Sequence, residues 1–502
     1  MTNTWSALIP LSIFMSSLVV GLFTFGLREH QHQLRAWLNL AGVLIKLILV
    51  AGMLYGVSQG MEFRFVLPFL PGADLVLQGD PLSLQFVTLS AVLWLTTTLY
   101  AIGYLRGTAL QSRFFGYFSL CVSATVGLAM AGNLVTFLLF YELLTLATFP
   151  LVVHTGSAQA LRAGRIYLAY TLSGGALVLL GAALLHNLAA TPNFMAGGYL
   201  SEWVADQSLS LTVGFILLIV GFGVKAALFP LHSWLPQAMV APAPVSALLH
   251  AVAVVKAGAF GIIRVVYDVY GVETVAQLQL DQPLLWLAAF TIIYGSIQAL
   301  RQQEIKKRLA FSTVSQVSYI TLGVALLGPL AATGALAHLV HQGLMKVTLF
   351  YAAGSFGHTL QVHKINQLNG MGRRMPLTMT AFTIGALGMI GVPPIAGFFS
   401  KWYLGWGALE VNKPWVLLLL VLSGLLNAAY FLPLVYRGWF LSPRADRPQN
   451  APSAARGQEG HWMLLYPVLI TAALALLVGV MAAHPASPLT WAHFIVDYEF
   501  DR

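Results

Sequence analysis

The chain carries a single cysteine, Cys121. One thiol excludes a disulfide framework, a cysteine-ligated iron–sulfur cluster and a thiolate zinc site. Charge is scarce as well: Asp, Glu, Lys and Arg make up 9% of the residues, where a soluble protein carries about a quarter. No soluble domain can be drawn from such a composition, and no low-complexity tract interrupts it. What is abundant is apolar surface, 58% of 502 residues with a mean hydropathy of +0.78. These values describe an all-α polytopic membrane protein embedded in a lipid bilayer. The net charge of +9 is explained by loop topology rather than by nucleic-acid binding. The first apolar run is too long for a signal peptide and lacks a small-residue cleavage pattern, so it reads as a retained span.

Runs of about 20 apolar residues define fourteen expected spans. They lie near 5–26, 36–57, 81–104, 113–130, 132–153, 165–188, 209–238, 243–267, 282–299, 309–327, 329–354, 376–410, 414–436 and 462–483. Loops after odd-numbered spans, here called side one, hold seventeen of the 26 Lys and Arg residues; the opposite face, side two, holds four. That bias places side one in the cytoplasm of a bacterial inner membrane and both termini in the periplasm. Segment 441–460 is polar and rich in Pro and Ala, as expected of a cytoplasmic linker.

Five lysines remain inside spans: Lys46, Lys225, Lys256, Lys346 and Lys401. A charge at bilayer depth costs about 3 kcal/mol or more, so each is a functional candidate. Of seventeen acids only Glu142 falls mid-span, with Asp268 and Glu410 at span ends. Two spans are broken. GFGVKAALFPLHSWLPQA, 221–238, stops at Pro230, and GVPPIAGFFSKW stops at Pro393 and Pro394. A proline frees backbone groups that lipid cannot satisfy, so such a break survives only where it lines an enclosed or wet cavity. The breaks lie five spans apart; an odd offset makes the second copy an inverted repeat of the first.

The polar residues on these spans form a pattern. Glu142 reads as a proton carrier or as the partner of Lys225, with a satisfied, protonated carboxyl as the alternative. His250 and Lys256 are six residues apart, about 120° around an α-helix, and both can border one channel. His338, Gln342 and Lys346 follow i, i+4, i+8, a polar stripe about 12 Å long, with His341 beside it. Groups one helical turn apart suit a proton relay bridged by water; interhelical hydrogen bonding is the bland alternative. Lys401 reads as an exit-side carrier or as a lysine snorkelling to an interface. Lys46 has no partner legible in the sequence, and a contact with another subunit is its expected use.

These stretches, FYELLTL, GFGVKAALFPLHSWLPQA, APAPVSALLHAVAVVKAG, IKKRLAFSTVSQVSYITLG, HLVHQGLMKVTLFYAAGS and GVPPIAGFFSKW, span roughly 130–405. Together they resemble the antiporter-like membrane subunits shared by respiratory complex I, Mrp-type multi-subunit cation/proton antiporters and energy-converting membrane hydrogenases. The resemblance implies about fourteen transmembrane helices, two inverted five-helix repeats, and breaks in helices seven and twelve. It divides the chain into an N-terminal three-helix segment (1–110), a first repeat (113–267), a second repeat (282–436), the linker (441–460) and a C-terminal helix with periplasmic tail (462–502). It implies that Glu142, Lys225, His250 or Lys256, Lys346 and Lys401 carry ions. One departure stands out: Gln342 occupies a position, four before Lys346, where members often carry His, which leaves His341 or water to relay there. The chain also lacks the long lateral helix of the largest complex I member.

The expected function is ion translocation, of protons first, through two half-channels joined by a file of Glu142, Lys225, His250, Lys256, His338, His341, Lys346 and Lys401. The chain itself is expected to hold no cofactor and no metal. Its partners would be homologous and small membrane subunits of one complex, with a soluble redox module in redox-driven assemblies. The rival readings are an Mrp-type Na⁺(K⁺)/H⁺ antiporter subunit, a haem-binding cytochrome b-type subunit, a stand-alone solute carrier and a non-conducting scaffold.

Overall fold

A computed structural model describes residues 4–70, 73–189, 193–442 and 457–500. Most of the expected linker, 443–456, lies outside the described residues. Helices occupy all fourteen expected stretches. The first six are α1 (Thr4–Phe25), α2 (His32–Ser58), α3 (Pro81–Tyr104), α4 (Gln111–Ala129), α5 (Leu134–Val152) and α6 (Ala158–Leu188). The seventh stretch is α7 (Val204–Ala226), a break, and the single turn α8 (Trp234–Gln237). The eighth is composite: α9 (Ala243–Ala247), a π-helical turn Leu248–Val252, α10 (Val254–Arg264) and a second π-helical turn Val265–Tyr270. After the short α11 (Val272–Gln277) come α12 (Asp281–Arg301), α13 (Ile305–Ala325) and α14 (Pro329–Leu360). The single turn α15 (Met371–Arg374) precedes α16 (Pro376–Ile390) and α17 (Ala396–Glu410), the two halves of the twelfth stretch. The chain continues through α18 (Pro414–Phe440), α19 (Trp462–Val480) and α20 (Pro488–Phe500). Among the described residues, ten spans are long and apolar enough to cross a membrane. The chain is thus a multi-pass membrane protein.

The burial pattern explains the flat periodicity of the sequence. The span Ala243–Tyr270 is entirely buried inside the protein, whereas only a third of the residues in the apolar windows of α1 and α18 are. Helices apolar all round sit either in the middle of the bundle or against lipid, so no amphipathic stripe separates them. The composite eighth span, α13 and α14 form the centre and carry His250, Lys256, His338, His341, Gln342 and Lys346, all buried.

The "all-α" expectation needs a correction. Residues Arg64–Leu70 (β1) and Ala73–Gln78 (β2) form an antiparallel hairpin. Its VLPFLPGADLVL run carries β-formers around a Pro-Gly turn signal. Hydropathy windows average over such a short element. The C-terminal segment is also not merely a tail: α20 packs on the side-two end of α3, where the Trp491 indole donates to the Pro81 carbonyl at 2.9 Å.

Bonds between loops respect the expected alternation. Glu29, after α1, accepts from the Gln111 and Ser112 backbone at the start of α4. The loops before α13 and after α14 pair through Glu304 and Lys364. On the other face β2 pairs with Ala131, and Asn133 with Asn193, while Lys413 reaches Asp281 at 3.1 Å. A cavity opens on each face. That on side one, about 640 Å³, is bordered by His154, Glu304, Lys306 and His363. That on side two, about 670 Å³, is bordered by Glu62, Arg64, Asp80 and Tyr199.

Candidate functional site

The first break follows Lys225. Ala227 closes α7 in the left-handed region (φ 59°), and Phe229–Pro230 is a cis peptide. The Trp234 indole folds back and donates to the Val224 carbonyl at 2.8 Å, filling one vacancy that the break opens. Lys225 is fully buried. Its ammonium donates to the Tyr141 carbonyl and lies 3.3 Å from the centre of the Tyr141 ring, so cation–π attraction replaces part of its lost hydration. The neighbouring Glu142 exerts a Coulombic pull on Lys225. The two do not form an ion pair, so the attraction acts across a gap. Glu142 instead occupies a notch in α6: a Cβ on Gly175 would fall 1.5 Å from Glu142 Oε1. That oxygen is buried without a hydrogen-bond partner.

The eighth span meets α7 where Gly258 packs on the backbone of Lys225 and Ala226; a Cβ there would stand 2.2 Å from the Ala226 nitrogen. About two turns earlier, the π-helical turn holds His250, its ring stacked 4.5 Å from Phe350. Six residues therefore do not separate His250 and Lys256 by the α-helical angle; the wider turn re-aims one against the other. Lys256 is fully buried and its ammonium has no hydrogen-bond partner; both ring nitrogens of His250 likewise have none.

On α14 the expected stripe is present and wholly buried. Lys346 donates to the Leu309 carbonyl at 3.0 Å and to Ser312 on α13. His338 shares a 2.8 Å hydrogen bond with Ser400 on α17, and His341 lies beside the backbone of Ala396. Both polar atoms of Gln342 are buried without partners. Lys256 acts electrostatically on Lys346, His338 and His341, Lys346 acts on His250, and Lys401 acts on His338. Six of the expected residues thus form one cluster, and α10 connects it to the Lys225–Glu142 end.

The second break mirrors the first. Gly391 (φ 99°) closes α16, Pro393–Pro394 is cis, and α17 restarts at Ala396. Lys401 does not snorkel. It turns back and donates to the Met389 and Ile390 carbonyls at 2.6 and 3.0 Å, where a cation suits the negative end of the half-helix. Asn427 also donates to Met389, at 3.4 Å, and Tyr319 faces Lys401 at 5.3 Å.

Sequence reading missed a second charged cluster. Arg264, one of the four cations counted on side two, is 1% exposed. It donates bidentately to Asp80, at 2.9 and 2.7 Å, and to Asp268 at 3.1 Å. Asp80 also caps α3 by accepting from the Ser83 backbone at 2.7 Å. Asp268 is thus a fully enclosed acid at a span end, in addition to the half-buried Glu142 at mid-span. The four-residue spacing of Arg264 and Asp268 was a visible signal; the partner Asp80, 184 residues away, was not.

Comparison with known proteins gives one answer. The family described as "NADH:quinone oxidoreductase/Mrp antiporter, TM" matches residues 131–427. NADH-quinone oxidoreductase subunit N of Desulforudis audaxviator is 35% identical over 435 residues, 84% of this chain and 85% of that protein. Hydrogenase-4 component B of Escherichia coli is 30% identical over 519 residues, 96% of this chain and 72% of that protein. In the solved Mrp complex from Dietzia sp., one chain superimposes with a TM-score of 0.84 at 22% identity, over 99% of this chain and 98% of that one. With more than half its length matched, and with both breaks and Glu142, Lys225, Lys256, Lys346 and Lys401 inside the match, the chain belongs to the NADH:quinone oxidoreductase/Mrp antiporter transmembrane family.

Proposed function

We propose that this chain is the proton-translocating, antiporter-like subunit of a multi-subunit membrane complex. In this reading it crosses the bilayer fourteen times. Residues 113–267 and 282–436 are inverted repeats that each contribute a broken helix, and side one is cytoplasmic. The relatives named above are components of larger assemblies, and this chain would sit beside comparable membrane subunits. The energy source lies in those partners.

One observation carries the reading: Lys225, Lys256 and Lys346 are buried on packed helices, with imidazoles beside the last two, and none is salt-bridged to an acid among the described residues. Lys225, Lys256, Lys346 and Lys401 form no ion pair among the described residues. Scaffold charges at bilayer depth pair with opposite charges; ion pathways leave them free to change protonation. The orphaned polar atoms of Glu142, His250, Lys256 and Gln342 are the groups that bridging water would satisfy. A proton can then pass from the Glu142–Lys225 end through Lys256 to Lys346, His338 and Lys401. As Lys256 accepts a proton, its charge repels that on Lys346, and each step loads the next. Gln342 contributes a hydrogen bond but no titration, so His341 and His338 carry that level.

Protons are favoured over Na⁺ or K⁺. A metal cation needs oxygen ligands, and this file offers lysines that repel it and one carboxylate. A haem between His250 and His338 is disfavoured, because the first ring is stacked on Phe350 and the second is bonded to Ser400. The test is proton flux by the assembled complex in vesicles. Lys225→Ala and Glu142→Gln should each abolish flux while assembly is preserved. Undiminished flux in both would overturn the proposal.

A further inference from the structure

Lys46 belongs to neither cluster. It is fully buried in α2 and points into the protein, which corrects the expectation that it meets another subunit. Its ammonium donates to Ser17 Oγ at 2.7 Å and lies 4.5 Å from the centre of the Trp94 ring. Among the described residues it forms no ion pair.

The surroundings of Lys46 are not random. The inward face of α2 carries Arg35, Asn39 and Lys46, and polar residues of α1 and α4 meet it level by level. At the side-one end Arg35 donates to Ser112 and Gln111, both at 2.7 Å. One turn deeper, Asn39 donates to the Arg35 carbonyl at 2.9 Å and to Thr24 at 3.5 Å, and accepts from Ser119 at 3.0 Å. One further turn of α4 brings Ser123, which Ser17 reaches at 3.1 Å, and Ser17 holds Lys46. From Arg35 to Lys46 is eleven residues, about 16 Å of helix, or half of the ~30 Å hydrocarbon core. A second observation points the same way. On α3, Ser90, Trp94 and Thr98 stand one turn apart, and the polar atom of each is buried without a partner. Trp94 is the residue that covers Lys46.

We propose that Lys46 is a further proton-accepting station, separate from the central file and reached from side one along the α1–α2–α4 seam. The ligand is a proton because hydroxyls and an amide line the seam, and no carboxylate stands at its inner end to hold a metal cation. A lysine kept for structure would gain nothing there over methionine, which fills the same volume without a charge to desolvate. The inference rests on the proposed proton-translocating function.

Two measurements on the assembled complex in vesicles test it. In the first, Ser119→Cys and Ser123→Cys are treated with a small, charged, membrane-impermeant methanethiosulfonate on the side-one face. The native chain, whose one thiol is buried, sets the baseline. Both thiols should react above it from that face. In the second, Lys46→Met should lower proton flux several-fold, and Lys46→Arg, whose guanidinium cannot release a proton, should lower it as far. Baseline labelling of both thiols would overturn the station, as would native flux in Lys46→Met. Should Lys46→Met fail to assemble, the labelling decides alone. Native flux in Lys46→Met beside lost flux in Lys225→Ala removes this station and leaves the central file. Native flux in both removes the proposed function as well.

Discussion

At the scale of single residues, the site depends on where charge is left unpaid and where space is left open. Glycine at 175 is an example of the second. A methyl there would stand 1.5 Å from Glu142 Oε1, so the carboxylate must leave its notch. Gly175→Ala should therefore reduce proton flux although no titratable group is removed. Gly424→Ala, where a Cβ meets nothing within 4 Å, serves as the control and should keep native flux. Equal flux in the two variants would show that the notch is irrelevant. The side-one cavity offers a pH test. Burial, then Arg113, lowers the His154 titration below the ordinary 6.5, against a smaller pull from Glu29; burial, then Lys306, lowers that of His363, against Glu304. The folded state thus disfavours both protonated forms. Their contribution to stability is complete above the ordinary value and is lost as pH falls below it. Reaction with diethyl pyrocarbonate, which needs neutral imidazole, should lose half its rate at a pH below 6.5 for both residues. A midpoint at or above that value would contradict the assignment. The buried lysines were legible in the sequence because charge is rare in such a chain. Their partners were not, since Tyr141, Ser312 and the Met389 carbonyl give no sign of what they will face.

Elements carry the next level. Both breaks were legible, because proline in an apolar run has one physical meaning. What fills the vacancies was not. Trp234 serves the first break, Lys401 and Asn427 the second. Trp234→Phe removes the donor and one of the two fused rings, and should lower the unfolding free energy by about 1 kcal/mol for the hydrogen bond and further for the cavity left behind, read as a fall in the melting temperature of the purified complex. No change would mean that the Val224 carbonyl finds another donor. The π-helical turn at His250 escaped sequence reading because hydrophobic periodicity does not encode hydrogen-bond register. The β1–β2 hairpin and α20 escaped because they are too short for a span-length window. The Arg264 cluster ties α3 to the end of the eighth span. Arg264→Gln leaves Asp80 and Asp268 facing each other uncompensated and should cost about 3–5 kcal/mol. Adding Asp268→Asn should recover part of the loss. Failure of the second substitution to help would show that the cluster is not an electrostatic unit.

Over the whole molecule, two faces and one middle emerge. Hydrogen bonds between loops keep side one and side two apart, each face has its cavity, and the buried cations run between them. The Lys and Arg bias anticipated this division from composition alone. It could not reveal the polar seam that leads to Lys46, because that pattern is shared among α1, α2 and α4 and belongs to none of them singly.

Lys256 separates the proton file from a scaffold most directly, since it is fully buried and its ammonium has no partner. Removing an uncompensated buried charge stabilises a scaffold and stops a pathway. In the assembled complex, Lys256→Met should raise the melting temperature or leave it unchanged while proton flux in vesicles is lost. A stable Lys256→Met complex that translocates protons at the native rate would contradict the account.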